Sequence, residues 1–177
     1  MGSAHLGLDS DPRYRDGLRS PPGGEAGQRS VRPIVAWRGG GYGDLVLGSD
    51  GGMRPITVLL ADDDERFRVV VRSLLEDDGF EVVAEAQDAT ETLALARRLQ
   101  PDVVVLDLVM EGSDGLSTAR RLLAERPDGP VVVISSLFDP VIEREASQLG
   151  AWYLEKVEGV EALEHLITGA VTVSRPH

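Results

Sequence analysis

The chain contains no cysteine. Disulfides, thiolate nucleophiles and cysteine-based zinc sites are therefore excluded, which fits a reducing cytosol. Aromatic residues make up only 5% of the sequence, so a core must be assembled from Leu, Val, Ile and Ala, for which a 42% hydrophobic content suffices. No apolar run approaches the roughly 18 residues of a membrane span. The N-terminus lacks the charged stretch followed by an apolar stretch that marks a signal peptide. Clustered basic residues are also lacking: the net charge is −12, whereas a nucleic-acid surface needs grouped Lys and Arg to meet phosphates. These absences lead to the expectation of a cytoplasmic protein that neither enters a membrane nor binds DNA directly.

The charge that is present is unevenly placed. Residues 1–54 hold seven Arg against six acids, and residues 55–177 hold eleven basic against twenty-four acidic residues. The first segment is rich in Gly, Pro, Arg and Ser, with breakers at Pro21-Pro22-Gly23-Gly24 and Gly39-Gly40-Gly41. It reads as a disordered extension over residues 1–54, with Val31–Trp37 as its one candidate strand and Met53 as an alternative start for a compact domain. The organised domain is placed at 55–173, with a short tail at 174–177.

From Pro55 onward, apolar runs alternate with helical patterns. Strands are expected at Ile56–Leu60, Phe80–Ala84, Val103–Leu106, Pro130–Ile134 and Ala151–Leu154. Between them lie helices at Asp64–Asp78, from Asp88, at Asp114–Glu125, from Asp139-Pro140 to Gly150, and at Glu158–Val171. Gly79 is placed just past the end of the first helix. Five such units in succession imply an α/β fold, a doubly wound five-stranded parallel sheet of the flavodoxin-like order 2-1-3-4-5, with helices on both faces.

The centre of this pattern is Pro101 to Met110, where an apolar run delivers Asp107 to its far end. In an open parallel sheet, function collects beyond the carboxyl ends of the strands. Asp62, Asp63 and Asp64 follow the first strand, Asp107 the third, Ser135 and Ser136 the fourth, and Lys156 the fifth. All these ends lie on one edge, so the topology gathers acids, a hydroxyl and an ammonium in one crevice. Adjacent carboxylates resist ionising together unless a cation enters. A hard dication such as Mg²⁺ meets that need through oxygen ligands. Asp64 reads better as a helix cap. Lys156 stands out because it is the sole lysine, every other basic residue apart from histidine being arginine. Tyr153 taken alone reads as a packed aromatic, and Gly112 and Gly115 as a turn. His5, His165 and His177 are scattered and carry no assignment.

Taken together, Val58-Leu59-Leu60-Ala61-Asp62-Asp63, Pro101 through Met110, Gly112-Ser113-Asp114-Gly115, Val132-Val133-Ile134-Ser135 and Gly150 through Lys156 resemble the receiver domain of two-component response regulators. The likeness runs from Pro55 to Val173 and is nearest to receivers attached to helix-turn-helix regulators, although no output domain is expected within the residues that follow. The resemblance implies that Asp107 accepts a phosphoryl group from a phosphohistidine. It further implies that Asp62, Asp63, Asp107 and the backbone carbonyl of Val109 hold Mg²⁺, and that Lys156 contacts the phosphoryl group. Ser135 and Tyr153 would switch a surface built by the fourth helix, fifth strand and fifth helix. The implied partners are a sensor histidine kinase or phosphotransfer protein, a downstream effector, and a second copy of the chain.

Four departures from the family pattern concern switching geometry and phosphoryl lifetime rather than the reacting groups. They are Glu111 in place of proline, Ser136 in place of a smaller residue, a segment one residue short between Gly150 and Lys156, and Val157 after the lysine. Two other readings remain. An aspartyl-nucleophile phosphatase of the haloacid-dehalogenase kind would carry a second acid where Val109 stands. A phosphorylation-independent pseudo-receiver would act by binding alone. The first expectation is a signalling switch that catalyses its own phosphoryl transfer, not a metabolic enzyme.

Overall fold

A computed structural model describes residues 45–47, 52–110, 113–136 and 139–174. The candidate strand at Val31–Trp37, and also Glu111 and Gly112, lie outside these residues. The elements in order are β1 (Leu45–Leu47), β2 (Met53–Pro55), β3 (Thr57–Ala61), α1 (Glu65–Asp77), β4 (Glu81–Ala86), α2 (Ala89–Leu99), β5 (Val103–Asp107), β6 (Val109–Met110), β7 (Ser113–Asp114), α3 (Gly115–Glu125), β8 (Val131–Ser135), α4 (Pro140–Leu149), β9 (Trp152–Glu155) and α5 (Gly159–Ser174). A 3₁₀ turn over Lys156–Glu158 joins the last strand to α5.

Five parallel strands form the main sheet in the order β4-β3-β5-β8-β9, which is 2-1-3-4-5 when these five are counted along the chain. Its central strands are apolar on both faces because both faces are covered. On one side α1 and α5 pack Val71, Leu75, Leu163 and Ile167 against Val58, Leu60, Val103 and Val105. On the other side α2, α3 and α4 pack Leu93, Ala96, Ala119, Leu122 and Ala146 against Leu59, Val104, Leu106 and Val133. Among the described residues, no helix is long and apolar enough to cross a membrane.

The caps explain where the helices begin. Asp64, Asp88, Asp114 and Asp139 each accept a hydrogen bond from a backbone amide of the following turn, and Pro140 occupies the first turn of α4. Gly79 sits past the end of α1 at φ 87°, a left-handed position that glycine takes without steric cost.

Two differences from the expected boundaries bear on function. The third strand of the sheet extends through Asp107, whose backbone still pairs with Ile134. The carboxylate therefore leaves from the last rung of a rigid ladder, not from a loop beyond it. In addition, Leu45–Leu47 pairs antiparallel with Met53–Pro55, and Val46 packs on the core that contains Phe80 and Ile167. Apart from Pro55, these residues belong to the 1–54 stretch, where the one candidate strand was placed elsewhere, at Val31–Trp37. Three-residue strands lack the period that reveals longer ones.

Candidate functional site at the carboxyl edge of the sheet

β3, β5, β8 and β9 deliver Asp62, Asp63, Asp107, Ser135 and Lys156 to one edge, as the topology requires. Asp62 is fully buried and Asp107 is 3% exposed, while Asp63 is open to solvent. One carboxylate oxygen from each of the three lies within 4.8 Å of the others. Lys156 Nζ donates to Asp62 Oδ2 at 2.6 Å and to Asp107 Oδ2 at 2.8 Å.

The remaining oxygens are held by the backbone. Asp62 Oδ1 accepts from the Asp64 amide at 2.9 Å, and Asp107 Oδ1 accepts from the Val109 amide at 3.1 Å. The Asp62 amide donates to the Ala86 carbonyl at 3.0 Å, tying the acidic turn to the neighbouring strand. Each buried acid thus has one oxygen fixed by its own loop and one shared with the lysine.

The charge is not balanced. Burial is the largest influence on Asp62 and raises its pKa above the ordinary value, with the Asp107 charge adding to the rise, although Lys156 and the Asp64 amide oppose it. Burial also works against the Lys156 ammonium, but its hydrogen bonds to Asp107 and Asp62 outweigh that and raise its pKa. One ammonium shared by two buried carboxylates cannot neutralise both. The donor set is three hard oxygens, two buried and one exposed, which fits a small hard dication entering from solvent.

The sequence model of the response regulator receiver domain matches residues 58–168, more than half of the chain. The chain belongs to the response regulator receiver family. As a receiver it is 42% identical over 94 residues to the transcriptional regulatory protein LiaR of Bacillus subtilis, covering 50% of this chain and 44% of that one. It is 37% identical over 114 residues to the response regulator GacA of Pseudomonas aeruginosa, covering 63% and 53%. A third relative, a protein-glutamate methylesterase/protein-glutamine glutaminase of Anaeromyxobacter dehalogenans, is 47% identical over 87 residues, covering 49% of this chain and 25% of the relative. These matches span between a quarter and about half of the relatives' lengths. Among solved structures, the response regulator domain of Thermotoga maritima CheB superposes with a TM-score of 0.62 at 28% identity, covering 68% of this chain and 98% of that one.

Within the receiver, Ser135 is buried at the end of β8 and is hydrogen-bonded to Tyr153, which also bonds to the backbone of Asp139. Burial raises the Tyr153 pKa despite those bonds. Tyr153 also packs partly on the core cluster of the α2–α4 side, so the packed reading of this aromatic and its contact with Ser135 both hold. Val109 is 67% exposed beside Asp107, in a short hairpin with Asp114. Gly115 follows directly. A Cβ there would lie 2.4 Å from the Leu108 Cα, so no larger residue fits unless the loop shifts.

Three contacts were not foreseen. Arg68 Nη1 donates to the Asp62 carbonyl at 2.6 Å, and its Nε donates to Glu85 at 3.1 Å. The Phe67 ring lies beneath Lys156, with Nζ 4.3 Å from its centroid. The helical spacing of α1 places both residues near the acidic turn, but a sequence does not say which face of a strand end they reach. Elsewhere, Glu164 on α5 meets Asp78 at the end of α1. Burial, the hydrogen bond with Asp78 and the charges of Asp78 and Glu161 raise its pKa to about 7.

Proposed function

We propose that the chain is a phosphorylation-driven switch in which Asp107 accepts the phosphoryl group in a dication-dependent reaction. The carrying observation is the position of Asp107: it is buried on the last rung of β5, shares an ammonium with Asp62, and lies beside the exposed carboxylate of Asp63. In the reaction, an Asp107 carboxylate oxygen forms a new P–O bond as the P–N bond of a phosphohistidine breaks and the imidazole leaves. A bound Mg²⁺, held by Asp62, Asp63, Asp107 and the Val109 carbonyl, would neutralise charge on the transferring oxygens. Lys156 is already directed at Asp107 and supplies the second positive group. Ser135, one strand away, would meet the phosphoryl group by giving up its bond with Tyr153, which transmits the change to the α4–β9–α5 surface.

The donor is a sensor histidine kinase or phosphotransfer protein, and the readers are a downstream effector or a second copy of the chain, in the cytoplasm. The chain acts as a signalling switch, and its net charge of −12 disfavours direct contact with DNA. The test is incubation with acetyl phosphate, with and without Mg²⁺, for wild type and Asp107→Asn. Stable label that needs Mg²⁺ and disappears in the variant supports the reading. Multiple-turnover phosphate release would indicate a phosphatase, and absence of label under all conditions would indicate a binding-only module.

A further inference from the structure

Lys156 has three partners, and two of them change during the proposed reaction. Asp107 would become an acyl phosphate, and Asp62 would turn its charge toward a dication. The third partner, the face of Phe67 at 4.3 Å, is neutral and takes no part in the reaction. An ammonium this close to a ring face is attracted by the quadrupole of the ring, more strongly where water is excluded. The lysine side chain is 15% exposed, so the contact is largely sheltered. The ring is itself fixed. Phe67 lies in the first turn of α1, its amide donates to the Asp64 cap at 3.4 Å, and its side chain packs against the core cluster of Val71, Leu154 and Leu163.

We propose that Phe67 is a positioning residue for Lys156, a neutral platform that keeps the ammonium within reach of Asp107 after its anionic partners are engaged. This rests on the reading of Asp107 as the phosphoryl acceptor. A leucine or methionine would fill the space but offer no ring face, so the platform depends on the aromatic ring and not on bulk. Asp62, Asp63 and Asp107 remain unchanged in such variants, and the dication ligands with them.

The single lysine makes the test direct, because lysine-selective isotope labelling yields one side-chain signal. Wild type, Phe67→Tyr, Phe67→Leu and Phe67→Met are compared metal-free, with Mg²⁺, and with Mg²⁺ plus beryllofluoride as a phosphoryl mimic. In wild type and Phe67→Tyr, the lysine side-chain protons are expected to show an upfield ring-current shift that persists in all three states. Phe67→Leu and Phe67→Met lose it. Labelling by acetyl phosphate falls by about three- to tenfold in the two aliphatic variants and by less than about twofold in Phe67→Tyr. Half-saturation by Mg²⁺ stays the same in all four. A wild-type lysine signal that matches Phe67→Met, or that leaves the shifted position when beryllofluoride binds, overturns the proposal, as do equal labelling rates. If wild type takes neither label nor beryllofluoride, the acceptor reading fails instead. The metal-free spectra would then still decide whether the ring holds the lysine.

Discussion

The two ends of the sheet each carry a basic residue on a buried acid, and they are built to opposite specifications. At the amino edge, Arg54 grips Asp102 with two parallel hydrogen bonds, at 2.5 and 2.8 Å. The Thr57 amide and hydroxyl each add a bond at 2.9 Å, and the Asp102 amide returns one to the Thr57 hydroxyl. Charge is matched one to one, and the planar fork of arginine suits a carboxylate. At the carboxyl edge, one lysine serves two buried acids with a third acid close by. The first arrangement is saturated at the acid, both of whose carboxylate oxygens accept hydrogen bonds. The second is short of positive charge and uses a cation whose single ammonium can shift between partners. Balanced charge holds a fold together, and unbalanced charge leaves a site that favours an added cation.

Breaking the saturated end should have the larger effect on stability. Asp102→Ala strands a half-buried arginine and two Thr57 donors, and we expect a loss of about 2–4 kcal/mol in urea unfolding. Labelling at temperatures well below the melting point should be retained. The reverse holds at the other end. Lys156→Met removes the ammonium that competes for Asp62 and Asp107, so Mg²⁺ should bind roughly tenfold more tightly by titration while labelling slows. Weaker Mg²⁺ binding in that variant would show that the lysine organises the acids instead of competing for them.

The Asp78–Glu164 pair sharpens the comparison, because two carboxyl groups meet there with a further acid, Glu161, beside them. A carboxyl raised from 4.5 to about 7 keeps its proton in the folded state after the unfolded chain has lost it. Folding stability should therefore fall as pH rises from 4.5 to about 7, and no further above that. Both groups are partly solvated, so the effect is modest, about 2–4 °C in Tm across the window. Glu164→Gln should flatten it, as read by melting curves at several pH values.

The carboxyl-edge site was legible in the sequence because buried parallel strands have an unmistakable composition. Once Val103–Leu106 and Val131–Ile134 are read as strands of one sheet, the positions of Asp107 and Ser135 follow from topology. The caps at Asp64, Asp88 and Asp139 were legible for the same local reason. What could not be read was contact across elements. Nothing in the spacing joins Arg54 to Asp102, 48 residues apart, or sets Phe67 beneath Lys156. Such pairs depend on how helices settle on the sheet. The hairpin of Leu45–Leu47 with Met53–Pro55 escaped because a Gly-rich stretch masks two very short strands.

The strand between the two ends has a further consequence. Val103 to Leu106 are apolar and buried on both faces, so the in–out alternation of polarity that marks the register of a half-exposed strand is absent from β5. Asp102, locked to Thr57 of the adjacent strand, supplies a register mark just outside the apolar run. The strand behaves as a ruler with its zero mark at Asp102. At about 3.3 Å per residue it sets the height at which Asp107 emerges, and one residue inserted or deleted between the two acids would place Asp107 at the wrong level and turn its side chain to the opposite face.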